Sequence, residues 1–113
     1  SPEVLESGAM SGAMLENFAV SEIIKSYQNA GRDSFVHYYR DRDAKEIDVI
    51  MERDGKLYPL EIKKTANPDR RMVRAFGVLD KSPLSVGTGA VLCMSDRFGA
   101  LDQDHLIVPI WLI

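Results

Sequence analysis

The chain has 113 residues, of which 45% are hydrophobic and 27% charged, with a formal net charge of −3. These values fit one globular domain with a modest core, and the acidic balance excludes a protein coated in positive charge for non-specific nucleic-acid binding, while leaving room for a local basic face. The single cysteine, Cys93, excludes a disulfide framework and a Cys-based zinc site and makes a reducing cytoplasm the simplest setting.

No apolar run approaches the roughly 20 residues of a membrane span. The opening "SPEVLESGAM" has neither the basic nor the apolar segment of a signal peptide. Residues 1–9 are small and polar and read as a tail or linker, and the missing initiator Met reads as a fragment of a longer protein. Residues 10–30 read as a helix stopped at Gly31: Met14, Leu15, Phe18, Ile23 and Tyr27 recur at helical spacing, and Ala19, Val20 and Ile24 widen the stripe. Residues 34–40, "SFVHYYR", are β-branched and aromatic and predict a strand. After the turn "DRDAK", strands are expected over 46–53 and 56–64 around Asp54-Gly55. Asn67-Pro68-Asp69 announces a helix running to about Asp80. "KSPLSVGTG" reads as loop, "GAVLCMS" (89–95) as a buried strand, and "DRFGALDQD" as loop. A last strand is expected over 105–113, with Pro109 confining it to an edge or a ladder end. The order α-β-β-β-α-β-β predicts an α+β domain with a mixed sheet flanked by helices.

Asp-Gly between two strand-like runs is a strong signal for a two-residue hairpin loop. With Arg53 opposite Lys56, the register pairs Met51 with Tyr58, Val49 with Leu60 and Ile47 with Ile62, all apolar and all on one expected face. The other face then pairs Ile50 with Pro59 and sets Asp48 directly opposite Glu61, at about 4.5 Å between Cα atoms if the pair is non-hydrogen-bonded. Like charges so placed repel, so a raised pKa, splaying into water or a bound cation must compensate. Lys63 shares the face of Glu61. Glu16 lies as an isolated acid within "MLENFAV", and Lys63, Lys64, Arg70, Arg71 and Arg74 make a basic cluster nearby. An acidic pocket that takes a hard divalent ion, beside a basic rim, suits a phosphodiester backbone. Each of these residues also has a bland reading as a solvated surface charge.

A helix acid, then Asp48, then "EIK" after a hairpin resembles the PD-(D/E)XK phosphodiesterase superfamily, whose restriction-endonuclease-like fold has an αβββαβ core. More specifically, "LENFAVSEIIKSY", "YYRDRDAKEIDVI" and "YPLEIKKTANP" look like an uncharacterised domain at the C-terminus of prokaryotic AAA-type ATPases, over roughly residues 10–113. The resemblance implies that Asp48, Glu61 and Lys63 are catalytic. It implies Glu16, Asp48 and Glu61 as ligands of Mg²⁺ or Mn²⁺. Lys63 would orient or activate the attacking water, and Arg40 would support the acids or touch phosphate. Arg40, Lys64, Arg70, Arg71 and Arg74 become candidates for nucleic-acid contact. Ile47, where the motif has Pro, is a departure from the pattern. No GxxxxGK[ST] loop occurs, so ATP is expected only in an upstream domain absent from this chain.

The leading expectation is a metal-dependent nuclease-like domain acting on DNA and attached to an upstream ATPase. The alternative is the same fold without catalysis, as a DNA-binding, docking or oligomerisation module that regulates the ATPase; a homo-oligomer is a further partner this admits, and a membrane is not. His37, His105, Cys93 and Trp111 read as structural.

Overall fold

The computed structural model describes residues 10–28 and 34–113; the tail over 1–9 and the helix stop at Gly31 lie outside them. The first helix, α1, spans Gly12–Gln28. A three-strand antiparallel meander follows: β1 (Ser34–Arg40), β2 (Glu46–Arg53) and β3 (Lys56–Ile62). A 3₁₀ helix over Arg70–Lys81 crosses to the short β4 (Ser85–Val86), which pairs parallel to β3, and then to β5 (Gly89–Cys93). The chain continues through β6 (Gly99–Ala100) and β7 (His105–Pro109), and a 3₁₀ turn over Ile110–Leu112 closes it. The sheet is mixed and seven-stranded, in the order β1-β2-β3-β5-β7-β6 with β4 beside β3. The expected fold class holds, and the seven expected elements occur in their expected order, with the short strands β4 and β6 and the closing 3₁₀ turn added.

One helix covers each face. Leu15, Ala19 and Ile23 of α1 pack on Val49, Leu60, Ile62, Ala90, Leu92 and Ile110. Val73, Phe76 and Leu79 of the 3₁₀ helix pack on Ile47, Ile50, Leu57, Val91 and Cys93. β5 is buried along its whole length because both layers cover it.

The second helix is where the expectation was, but it is 3₁₀ throughout. Its sequence explains why. From Met72 to Asp80 the chain repeats two apolar residues and one polar or small residue three times, "MVR-AFG-VLD". That is a period of three, which aligns side chains on a 3₁₀ helix, where positions i and i+3 eclipse. Asp69 caps it, with Oδ1 accepting the Arg71 N–H at 2.9 Å, so Pro68 precedes the cap rather than opening the first turn.

The hairpin loop is as read. Asp54 and Gly55 both have positive φ (52° and 76°), the backbone of a two-residue type I′ turn. Five pairs follow in the expected register, from Arg53–Lys56 to Val49–Leu60. Pro59 lies in an interior strand, and its missing N–H falls where the neighbouring ladder is broken: β3 pairs with β4 through Leu57 and with β5 only from Leu60. The short strands β4 and β6 arise inside segments expected to be loop. The last strand stops at Pro109 rather than continuing to 113, and Pro109 is the end of its ladder.

Two expectations fail together. Ile47 does not share a face with Val49 and Met51; it packs in the opposite cluster, with Ile50. Nor does Asp48 sit in a ladder pair with Glu61, because that ladder ends at Val49–Leu60. Both follow from one irregularity. His37 pairs with Ile50 and Tyr39 with Ile47, so Asp48 and Val49 together oppose the single residue Tyr38. This β-bulge inserts one residue into β2 and reverses its inside–outside phase beyond that point.

Candidate functional site

The bulge creates the acidic site. Where β2 bends away, the N–H of Ile62 loses a main-chain acceptor on that side, and the Asp48 carboxylate supplies one: Oδ2 accepts from Ile62 N at 2.8 Å. Asp48 is thereby held against β3 and is only partly exposed. Glu61 alternates with the buried Leu60 and Ile62, so its side chain projects to the face of the 3₁₀ helix. There it is 9% exposed, and among the described residues its Oε1 is the one buried side-chain oxygen with no hydrogen-bond partner.

The two acids feel one another strongly. Burial, then a proton shared with the Asp48 side chain and the repulsion of its charge, pushes the Glu61 carboxyl up to about 8. The Lys63 ammonium pulls in the opposite direction, with Nζ 3.7 Å from Glu61 Oε2. Glu16, on α1, is raised as well, first by burial and then by Asp48 and Glu46 against the attraction of Lys63. These cross-influences place Glu16 in the same electrostatic neighbourhood.

The expected residues are gathered at one end of the sheet but divided between two clefts. Glu16, Arg40 and Asp48 line the cleft on the α1 side, with Tyr38, Tyr39 and Glu46. Glu61 and Lys63 line the cleft on the 3₁₀ side, with Asp69, Arg71 and Met72. The Asp48–Glu61 contact joins the two. Among the described residues no three His, Cys, Asp or Glu side chains are grouped so as to enclose one ion. The acidic unit in this geometry is therefore the pair Asp48–Glu61, with Glu16 beside it rather than in a closed three-carboxylate cage.

The basic rim is partly committed to acids. Arg71 Nη2 lies 2.7 Å from Asp69 Oδ2, a contact that holds the Asp69 carboxyl below its ordinary range. Arg70 Nε is 3.9 Å from Asp102 Oδ2, and Arg40 Nε is 3.3 Å from Glu46 Oε1. Lys64 and Arg74 are exposed. Arg71 alone of the five expected nucleic-acid contacts lines the cleft of Glu61, and Arg40 alone lines the cleft of Asp48.

The sequence profile of one family, described as Domain of unknown function (DUF4143), matches residues 11–113. The chain belongs to that family. In this DUF4143 domain the acidic pair, the hairpin and both flanking helices all fall inside the matched segment. No curated protein and no solved structure matches the chain. Among the described residues no helix is long and apolar enough to cross a membrane.

The residues read as structural have packing or pairing roles. His37 Nε2 is 3.0 Å from Glu52 Oε1 on the neighbouring strand. His105 Nδ1 is 2.7 Å from Asp102 Oδ1, and its ring lies 5.7 Å from that of Phe76. Cys93 is buried, and burial raises its thiol pKa. Trp111 packs against the α1 core. Tyr38 was missed as a site residue, because its place beside Asp48 depends on the bulge, for which the sequence carries no signal.

Proposed function

We propose that Asp48 and Glu61 hold a divalent metal ion, Mg²⁺ or Mn²⁺, in a nuclease-like phosphodiesterase domain of the PD-(D/E)XK type acting on DNA. The observation that supports this most is the orphaned Oε1 of buried Glu61, set against a second carboxylate. A buried acceptor with no donor is costly, and two carboxylates set against one another are relieved by a bound cation as well as by a proton. Glu16 stands where it could support the site through water, and Lys63 stands at the Glu61 carboxylate. When bound, such an ion lowers the pKa of water and neutralises charge on phosphate. Lys63 would hold and orient the phosphate or the attacking water, and Arg71 and Arg40, one in each cleft, would steady the backbone once released from Asp69 and Glu46. On this reading the domain is an accessory to an upstream AAA-type ATPase module of the same protein.

A second reading is the same fold without catalysis, serving to bind DNA, dock or oligomerise and so regulate the ATPase. The separation of Glu16 from Glu61 into different clefts and the pairing of Arg70 and Arg71 with acids favour it. A cleavage assay decides between them. Nicked, branched and single-stranded DNA are incubated with wild type and Asp48→Asn in Mg²⁺ and in Mn²⁺. Metal-dependent cleavage lost in Asp48→Asn supports the first reading; no cleavage of any substrate by wild type leaves the second.

A further inference from the structure

The bulge that turns Asp48 toward β3 also fixes its cross-strand neighbour. Tyr38 is the single residue of β1 opposite the doubled Asp48–Val49, and it lines the same cleft as Glu16, Arg40 and Asp48. It is 77% exposed, the most exposed of the large hydrophobic side chains among the described residues. Its neighbour Tyr39 behaves differently: its ring packs into the core, and its hydroxyl donates to Asp41 Oδ2 at 3.0 Å. The Tyr38 hydroxyl has no such bond among the described residues. A bare aromatic ring thus stands at the lip of the acidic cleft, held by a strand rather than a loop.

We propose that Tyr38 is a base-stacking platform and that the substrate of this site is single-stranded DNA, or an unpaired stretch within a branched molecule. This inference rests on the nuclease reading above. A base inside a duplex already has both faces stacked and cannot use the ring, whereas an unpaired base can lie on it and deliver its adjacent phosphate toward Asp48. Stacking on an aromatic side chain is indifferent to base identity and needs no base-specific hydrogen bonds. Arg40, two residues along on the same side of the strand, is placed to meet a flanking phosphate.

The test is equilibrium binding of a fluorescently labelled oligonucleotide to the full chain in Ca²⁺. The strand is offered as single-stranded DNA, as its duplex and as RNA of the same sequence. The expected result is single-stranded DNA bound roughly 10-fold more tightly than duplex, with Tyr38→Ala erasing most of that preference and Tyr38→Trp retaining it. Equal affinity for duplex, tighter binding of RNA, or unchanged single-strand affinity in Tyr38→Ala overturns the inference. So does a Tyr38-dependent dimer seen on sizing with no effect on DNA binding. Metal-dependent cleavage lost in Asp48→Asn, if seen alongside any of these, shows that the nuclease reading survives without this one. A Tyr38-dependent single-strand preference in a chain that never cleaves shows the reverse, with the platform belonging to the non-catalytic module.

Discussion

Replacing Glu61 with Gln should stabilise the metal-free protein at alkaline pH. In the folded state the Glu61 carboxyl is raised from 4.5 to about 8, so between those values the native protein binds a proton that the unfolded chain does not. Stability is then greatest below about pH 4.5 as far as this group is concerned, and falls as pH rises until the carboxyl is ionised above about 8. At 1.36 kcal/mol per unit the shift corresponds to roughly 4 to 5 kcal/mol, and relaxation of the pair with Asp48 reduces what reaches global stability to about 2 to 3 kcal/mol. Gln is the uncharged isostere and can donate to Asp48 at every pH. Glu61→Gln should therefore match wild type near pH 5 and exceed it near pH 9. For a chain of this length that difference is about 8–12 °C in Tm. Thermal unfolding across that range, in EDTA, is the assay. A wild-type Tm flat from pH 5 to 9, or a Glu61→Gln variant less stable at every pH, would refute the buried-proton account.

Other variants probe the surrounding scaffold. Asp48→Asn keeps an acceptor for the Ile62 N–H and should be more stable than Asp48→Ala by about 1–2 kcal/mol in denaturant melts, since neither variant carries a charge to repel Glu61. Ala44 has φ of 61° in the β1–β2 turn; Ala44→Gly should raise stability by about 0.5–1 kcal/mol, read as an increase in urea midpoint without a change in slope. A Cβ on Gly89 would fall 2.9 Å from the Phe76 ring and 3.1 Å from the Pro59 carbonyl oxygen, so Gly89→Ala should lose about 1–3 kcal/mol in the same melts.

Much of this architecture is legible in the sequence because local chemistry and packing agree. Asp54-Gly55 can take the positive φ of a type I′ turn, and the register that follows is set by that turn and confirmed by Val49 facing Leu60. The aromatic and β-branched run 34–40 forms β1 over those same residues. What eluded the sequence depends on tertiary fit. The bulge at Asp48–Val49 leaves no compositional mark, yet it moves Ile47 to the other core and divides the expected site residues between two clefts. The 3₁₀ period was present in "MVRAFGVLD" but is easily taken for helix of either kind. The two-residue strands β4 and β6 contain too few residues to carry a pattern. In the site itself, Glu61 and Lys63 on one side of β3 were readable from alternation, whereas Asp48 reaches Glu61 through the bulge and not through the expected ladder pair, and the pairing of Arg71 with Asp69 and of Arg70 with Asp102 was not readable.

Calorimetric titration of wild type with Mn²⁺ at pH 7, in two buffers of different ionisation enthalpy, tests the central claim that the Asp48–Glu61 pair exchanges its proton for a cation. The account predicts saturable binding with release of close to one proton, because the carboxyl raised to about 8 must ionise to bind, and loss of binding in both Glu61→Gln and Asp48→Asn. Absence of binding, or binding with no proton release that both variants retain, would contradict it.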